Sequence, residues 1–208
     1  MTSKCVPGAE RLYGLTAKRV AVVGSRNVAE GLVILIGRGR ILNVSRRAEQ
    51  PIAAGTHVID ASGRFVLPGL IDAHVHVGEL PHNRFGVDDP EDLSDRFQRW
   101  FTSHGIVTVR DTGSPALDDS LRRLKAGRPE WPRIHSSGPN LDGPPGGPWR
   151  GLRVIDRPTD ARAQVADLAE SGADFVKVYV WMGPEVLRAV VEEAQGEDFV
   201  SPRTSVMS

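Results

Sequence analysis

The sequence predicts an α/β fold in which a small β segment precedes about four βα units arranged around a parallel sheet. Three observations support this prediction. Short β-type runs broken by glycine occupy residues 1–68. After Gly69, apolar runs of strand length alternate with amphipathic stretches of helix length. Proline stands at the start of each helical stretch, where the first turn needs no amide donor.

The N-terminal segment, residues 1–68, is predicted to be entirely β. Residues 19–23 and 32–36 are rich in β-branched side chains and are separated by glycine-containing turns, which predicts small antiparallel strands. Residues 57–60 and 65–67 are joined by a turn-like Ala-Ser-Gly-Arg stretch, which predicts a hairpin-like pair.

The second segment, residues 69–195, contains the predicted βα units. Its strands are predicted at residues 70–77, 106–110, 133–137 and 175–180. Its helices are predicted at residues 90–103, 115–126, 158–171 and 184–194. Residues 137–157 are rich in glycine and proline and follow the third strand, a place where such folds build substrate-binding loops. Residues 196–208 are predicted to be an irregular tail.

Composition excludes several classes of protein. Lys+Arg and Asp+Glu each total 26 in 208 residues, so no net charge attracts nucleic acid. No apolar run is long enough to span a bilayer, so no membrane partner is expected. A single cysteine, Cys5, cannot form an intramolecular disulfide and fits a reducing compartment. We therefore expect a cytoplasmic protein.

The candidate metal ligands are His74 and His76, which lie two positions apart on the first predicted strand of the second segment. Strand alternation places both imidazoles on one face, at the strand end where barrel enzymes carry their active sites. An isolated His-x-His can equally be two polar residues that close a strand. The surrounding sequence distinguishes these interpretations.

Residues 66–76, Val-Leu-Pro-Gly-Leu-Ile-Asp-Ala-His-Val-His, resemble the strand-one signature of the amidohydrolase superfamily. The upstream pattern around residues 39–63 resembles the β-sandwich lead-in of imidazolonepropionase-like members. Residues 105–111 and 172–178 resemble the second and fourth barrel strands. The resemblance covers roughly residues 18 to 195 and implies a partial TIM (β/α)8-type barrel preceded by a small β-sandwich segment.

The same resemblance implies a divalent metal site, with zinc as the expected ion, bound by His74, His76 and Lys177. In the family, the lysine at this position is carboxylated and bridges two metal ions. Burial disfavours a charged lysine, whereas an anionic carbamate between cations is stabilised. The alternative is a surface lysine on a half-buried strand. The apolar neighbours Phe175 and Val176 favour a strand covered on both faces.

Other polar and aromatic residues have less specific interpretations. His82, in the loop after the first barrel strand, is a candidate substrate contact. Asp111 is either a group that supports the metal site by hydrogen bonding or a capping or turn aspartate. The aromatic residues at the end of the fourth strand either line an apolar pocket or pack in the core; they are Tyr179 and Trp181. The remaining histidines are expected to serve packing or to lie on the surface; they are His57, His104 and His135.

The resemblance implies a metal-dependent hydrolase that acts on carbon–nitrogen bonds of non-peptide, amide or cyclic amide type in a small-molecule substrate. Later strands of the family's barrel supply two more histidines and the aspartate that acts as general base, and none has a counterpart here. The catalytic base is therefore unassigned, and the sequence predicts a truncated product. The rival hypothesis is a catalytically inactive half-barrel fragment or interaction module, with possible self-association through exposed sheet edges.

Overall fold

A computed structural model of the chain describes residues 12–21, 28–49, 51–77, 96–114, 126, 130–148 and 151–197. The chain divides into two compact units, Met1–Pro68 and Gly69–Ser208. Within the described residues, no helix has the length and apolar character needed to cross a membrane.

The first unit contains one four-stranded sheet with the strand order β3-β2-β1-β4. Its strands are β1 (Tyr13–Ala21), β2 (Val28–Gly37), β3 (Arg40–Arg46) and β4 (His57–Val66). β2 pairs antiparallel with both β1 and β3, whereas β4 pairs parallel with β1. The buried side chains that form its core are Ala17, Val20, Ile34 and Ala61. The described residues form a single sheet here, so the second layer of a sandwich stays a prediction.

The hairpin predicted for residues 57–67 is wrong, because these residues form the single strand β4. Ala61 pairs with Ala17, and Phe65 pairs with Arg19, so three residues of β4 stand opposite one residue of β1. Residues 62–64, which were predicted to form a turn, form this bulge. Because β1 holds both halves of β4 in one parallel ladder, the chain continues in the same direction instead of reversing.

The second unit contains a parallel three-stranded sheet with the order β5-β6-β7. These strands are β5 (Leu70–Val75), β6 (Ile106–Asp111) and β7 (Arg133–Ser136). A further short parallel pair consists of β8 (Leu141–Asp142) and β9 (Arg153–Val154). The three predicted strands at residues 70–77, 106–110 and 133–137 are confirmed to within two residues at each end, and so is the α/β class.

The fourth predicted strand, at residues 175–180, is wrong as a regular strand. The chain touches β7 where the amide of Asp174 donates to the carbonyl of Ser136. Beyond that point Val178 forms an isolated parallel bridge with Leu141, and the described residues 175–180 contain no regular strand. Leu141 belongs to the two-residue strand β8, so this short strand takes the place of a continuous neighbouring strand.

Two helices cover this part of the second unit, α1 (Pro158–Glu170) and α2 (Pro184–Gly196). Each begins with its predicted proline in the first turn. They pack against each other through the apolar cluster Val165, Leu168, Val186 and Val190, which also contains Val176 and Val178. Residues 96–100 are helical and lead into a 3-10 turn, Thr102–His104. The helix predicted at residues 115–126 and the tail after residue 197 lie outside the described residues, apart from residue 126.

Candidate metal site

The second unit has two distinguishable sheet faces, and one of them packs on the helical segment at residues 96–100. The strand side chains in that apolar cluster, which also contains Phe97 and Phe101, are Val75, Val77, Val109 and Ile134. Side chains alternate between faces along a strand. His74 and His76 therefore share the face that points away from the helical segment.

The two imidazoles lie next to each other at the end of β5. Their ring centroids are 5.3 Å apart, and the ring planes meet at 69°. His76 Nδ1 lies 3.2 Å from the carbonyl oxygen of Gly113, which can only accept a hydrogen bond. Nδ1 therefore carries the proton in the neutral ring, and Nε2 keeps its lone pair for a metal ion.

This arrangement fits a shared divalent ion. A metal–nitrogen distance of about 2.1 Å places a ligand ring centroid roughly 3 Å from the ion, so two rings 5.3 Å apart can bind the same ion. His74 is exposed and His76 is half-buried, so the site is open to solvent. Among the described residues, no group of three His, Cys, Asp or Glu side chains converges, so the histidines form a pair there.

Asp111 is fully buried at the end of β6 and joins three strand ends beside this pair. Its carboxyl accepts hydrogen bonds from the Val77 amide at 3.0 Å, the Ser114 hydroxyl at 2.6 Å and the Ser136 hydroxyl at 2.7 Å. The Ser114 bond is a turn interaction, whereas the Val77 bond fixes the residue that follows His76. The turn interaction of Asp111 is thus present in the structure, whereas its support of a metal site stays a prediction.

Burial governs the protonation of this carboxyl. Desolvation raises the pKa of Asp111 above its ordinary value of 3.8, while the three hydrogen bonds and the nearby His76 act in the opposite direction. An aspartate that is buried and bonded to three donors is poorly placed to take a proton from water at the mouth of the site.

Lys177 lies on the irregular segment that replaces the fourth strand. The Leu141 amide donates to the Lys177 carbonyl at 2.9 Å, and the Tyr179 amide donates to the Leu141 carbonyl at 2.8 Å. Val176 and Val178 are buried in the cluster formed with α1 and α2. By alternation, the Lys177 side chain is on the opposite face.

The ammonium of Lys177 lies 5.9 Å from the centroid of the Tyr179 ring. No hydrogen bond or ion pair joins it to His74 or His76 within the described part of the chain. The structure therefore brings the two histidines together, and it places Lys177 on the side of its segment that faces away from the helices. The assignment of all three as metal ligands stays a prediction.

Sequence reasoning missed Asp142, which connects the short strand β8 to the Lys177 segment. Its Oδ1 accepts hydrogen bonds from the amides of Gly143 at 2.9 Å and Trp181 at 2.7 Å. Its Oδ2 is buried and has no hydrogen-bond partner among the described residues. A Cβ added at Gly143 would lie 2.1 Å from the Trp181 carbonyl oxygen, so the two backbones are in direct contact. A partner 39 residues away leaves no signal in local sequence.

The remaining aromatic residues, histidines and cysteine that were singled out from the sequence lie in different parts of the chain. Trp181 is 56% exposed and Tyr179 is half-buried, so neither is a core side chain. The rings of His57 and Tyr13 meet edge to face with centroids 5.5 Å apart. His104 lies 3.1 Å from the Ser103 hydroxyl. His135 Nδ1 lies 3.8 Å from Asp174 Oδ1. His82 and Cys5 lie outside the described residues.

Comparison with known proteins identifies the family. The sequence matches the Amidohydrolase family over residues 65–195, more than half of the chain. It is 46% identical over 55 residues to an adenine deaminase of Paracoccus denitrificans, covering 26% of this chain and 9% of that protein. It is 36% identical over 110 residues to an imidazolonepropionase of Methylobacterium nodulans, covering 48% of this chain and 26% of that protein.

A solved structure shows the same fold over most of the chain. The crystal structure of a protein from Bifidobacterium longum, assigned as a prolidase, superposes with a TM-score of 0.70 at 25% identity. The match covers 89% of this chain and 47% of that one, so the chain spans about half the length of this structural relative. The family match includes the histidine pair, Asp111 and Lys177, and on this evidence the chain belongs to the amidohydrolase family.

Proposed function

We propose that this chain provides part of the active site of a metal-dependent hydrolase that acts on carbon–nitrogen bonds of amide or cyclic amide type in a small molecule. The observation that supports this best is the histidine pair, with ring centroids 5.3 Å apart and His76 Nδ1 held by the Gly113 carbonyl. Adenine deaminase and imidazolonepropionase, two of the relatives, are hydrolases of carbon–nitrogen bonds. Members of the family generally use a divalent metal.

His74 and His76 would hold one divalent ion, for which we propose zinc. Two imidazole nitrogens suit zinc, which is bound in catalytic sites by three protein ligands and one exchangeable water. Such an ion, when bound, lowers the pKa of a coordinated water and polarises the scissile carbonyl. The Gly113 carbonyl would fix the tautomer and orientation of His76, as hydrogen-bond partners of metal-binding histidines usually do.

Lys177 would bridge to a second ion after its Nζ is carboxylated by carbon dioxide. As an ammonium, Lys177 is half-buried and has no carboxylate partner within the described residues. An anionic carbamate would supply the negative charge that a ligand shared by two cations needs. The general base remains unassigned on this chain, because Asp111 is buried and already accepts three hydrogen bonds.

Zinc titration tests the histidine pair. We expect His76→Ala to weaken zinc binding by at least about tenfold, because it removes one of the ligands that fix the ion. The matched control is His104→Ala, since His104 is exposed and bonds to Ser103. Isothermal titration with zinc measures both variants against the unchanged chain. Equal affinity of His76→Ala and the unchanged chain would contradict the proposed site.

Activity requires a separate measurement. The zinc-loaded chain is assayed with panels of hydantoins and dipeptides, with lactones as substrates that lack a carbon–nitrogen bond and His76→Ala as the inactive reference. Hydrolysis that depends on His76 supports the enzyme hypothesis. Stoichiometric zinc without any hydrolysis supports only the metal site.

The second candidate function is an interaction module that self-associates. β5 pairs with β6 along one edge and has no strand on its other edge within the described residues. Leu70 and Ile71 on β5 are 54% and 68% exposed. An unpaired strand with exposed apolar side chains is a surface on which another strand can add.

A further inference from the structure

Arg110 lies in a row with two histidines on the sheet face that carries the candidate metal site. Arg110 of β6 is the register partner of His135 on β7. Its neighbours Val109 and Asp111 are the register partners of Asp72 and Val75, so Arg110 stands at the level of His74 on β5. Adjacent strands are about 4.8 Å apart, which makes this a short row of basic side chains.

The orientation of Arg110 follows from its neighbours. Val109 is fully buried in the cluster on the helical side, and Asp111 is buried among the strand ends. Alternation therefore directs Arg110 to the opposite face, where His74 and His76 also lie. The guanidinium carbon of Arg110 is 4.1 Å from the centroid of the Phe175 ring.

The guanidinium has no anionic partner within the described residues. Its contact is the Phe175 ring, and no hydrogen bond or ion pair joins it to a carboxylate there. Burial lowers the pKa of Arg110, which means that its charge is already partly desolvated. Arginine stays charged in proteins, and a guanidinium stacked on a ring still presents N–H donors along its edge. Such a group is preorganised for a planar anion.

We propose that Arg110 binds a carboxylate of the substrate beside the histidine pair, so that the substrate class is an amide or cyclic amide that carries a carboxylate. The planar fork of the guanidinium matches a carboxylate in a two-pronged hydrogen bond. The hydrolytic part of this statement rests on the proposed function. The anion site itself depends only on Arg110 and Phe175.

Ligand-observed NMR on the full chain tests the anion site with N-acetyl-L-alanine and its uncharged counterpart N-acetyl-L-alaninamide. All samples contain a chelator, because a bound metal would also attract the carboxylate. We expect the acid to bind better than the amide to the unchanged chain. Arg110→Gln should weaken binding of the acid about tenfold and leave the amide unaffected. Arg188→Gln, an equal charge change at an exposed position on α2, is the matched control.

The outcomes separate clearly. If Arg110→Gln binds the acid as well as the unchanged chain does, or if the unchanged chain does not distinguish acid from amide, the proposal is overturned. If Arg110→Gln does not fold, Arg110→Met decides, because it keeps an apolar stem against Phe175 and removes the charge. Zinc titration of the same variants without chelator reports on the histidine pair, so failure of the metal site and failure of the anion site are distinguishable.

Discussion

The buried carboxyl of Asp111 links its own ionisation to the stability of the second unit. Because desolvation raises its pKa above 3.8, the neutral form is more stable in the folded chain than in the unfolded chain. The contribution to stability is fully present below pH 3.8 and is lost as pH rises through the higher pKa of the folded state. The unfolded chain releases its proton first over this interval, so the free energy of unfolding decreases with pH.

We therefore expect Asp111→Asn to remove this decrease. Urea unfolding from about pH 4 to about pH 7 should show a smaller loss of stability with rising pH in the variant than in the unchanged chain. Asp60→Asn should change the pH dependence of stability in the opposite direction, since the Ser62 amide holds the pKa of Asp60 below its usual value. The contribution of Asp60 is lost as pH falls. Parallel pH profiles for Asp111→Asn and the unchanged chain would contradict the argument.

The positions of individual site residues could be predicted where the sequence pattern that identifies them is local. Two histidines with one residue between them must share a face of a strand, and their rings are indeed adjacent. The partners of Asp111 were not predictable, because Ser136 is 25 positions away and comes close only through the pairing of β6 with β7. Arg110 was missed because an arginine in an apolar strand has the same local pattern whether it faces solvent or a site.

At the scale of elements, the direct contact between the loop after β7 and the segment after Lys177 makes a steric prediction. A Cβ at Gly143 would lie 2.1 Å from the Trp181 carbonyl oxygen, and backbone can yield little. Gly143→Ala should lower the free energy of unfolding by about 1–3 kcal/mol, the usual cost of overpacking. Thermal and urea denaturation measure it.

The control for this prediction is Gly183→Ala. A Cβ at Gly183 meets no atom within 4 Å, and its φ of −67° suits alanine. Because Gly183 is the N-cap of α2, where alanine is less favourable than glycine, we expect a loss of stability from this effect alone and a larger loss in Gly143→Ala. Equal stability of Gly143→Ala and Gly183→Ala would show that the loop relaxes without cost.

Elements with strong start signals were predicted well. α1 and α2 begin at Pro158 and Pro184 because proline suits the first turn of a helix and interrupts the strand ladder before it. Residues 175–180 have an apolar pattern typical of a strand, but a strand needs a partner. Within the described residues, Leu141 forms backbone hydrogen bonds on both sides of Val178, and this pairing is an isolated bridge and not a ladder.

For the whole molecule, we expect the chain to self-associate through the unpaired edge of β5. Ile71 is 68% exposed on this unpaired strand. Ile71→Lys should weaken self-association, because a lysine on an edge strand disfavours pairing with another strand. Sedimentation over a concentration series measures the effect. Val180→Lys adds the same charge at an exposed apolar residue outside the sheets and should leave association unchanged.

An unchanged chain that sediments as a monomer at all concentrations would remove the case for an interaction module.

The α/β class and the family were predictable because both depend on short local patterns. Substrate identity was not, since a group such as Arg110, which we propose binds a carboxylate, acts through a spatial arrangement. The chain spans about half of its structural relative, so the activity of the whole protein stays a proposal.

The two backbone hydrogen bonds that join Leu141 to Lys177 and Tyr179 have a consequence for engineering. The backbone on either side of Val178 is held at Lys177 and Tyr179 by Leu141 of the short strand β8, whereas the bond of this segment to β7 lies three residues earlier, at Asp174. Shortening or lengthening the chain between residues 137 and 141 would therefore shift a candidate metal ligand, although the loop contains no ligand itself. Attempts to alter substrate preference by exchanging this loop should measure metal content first.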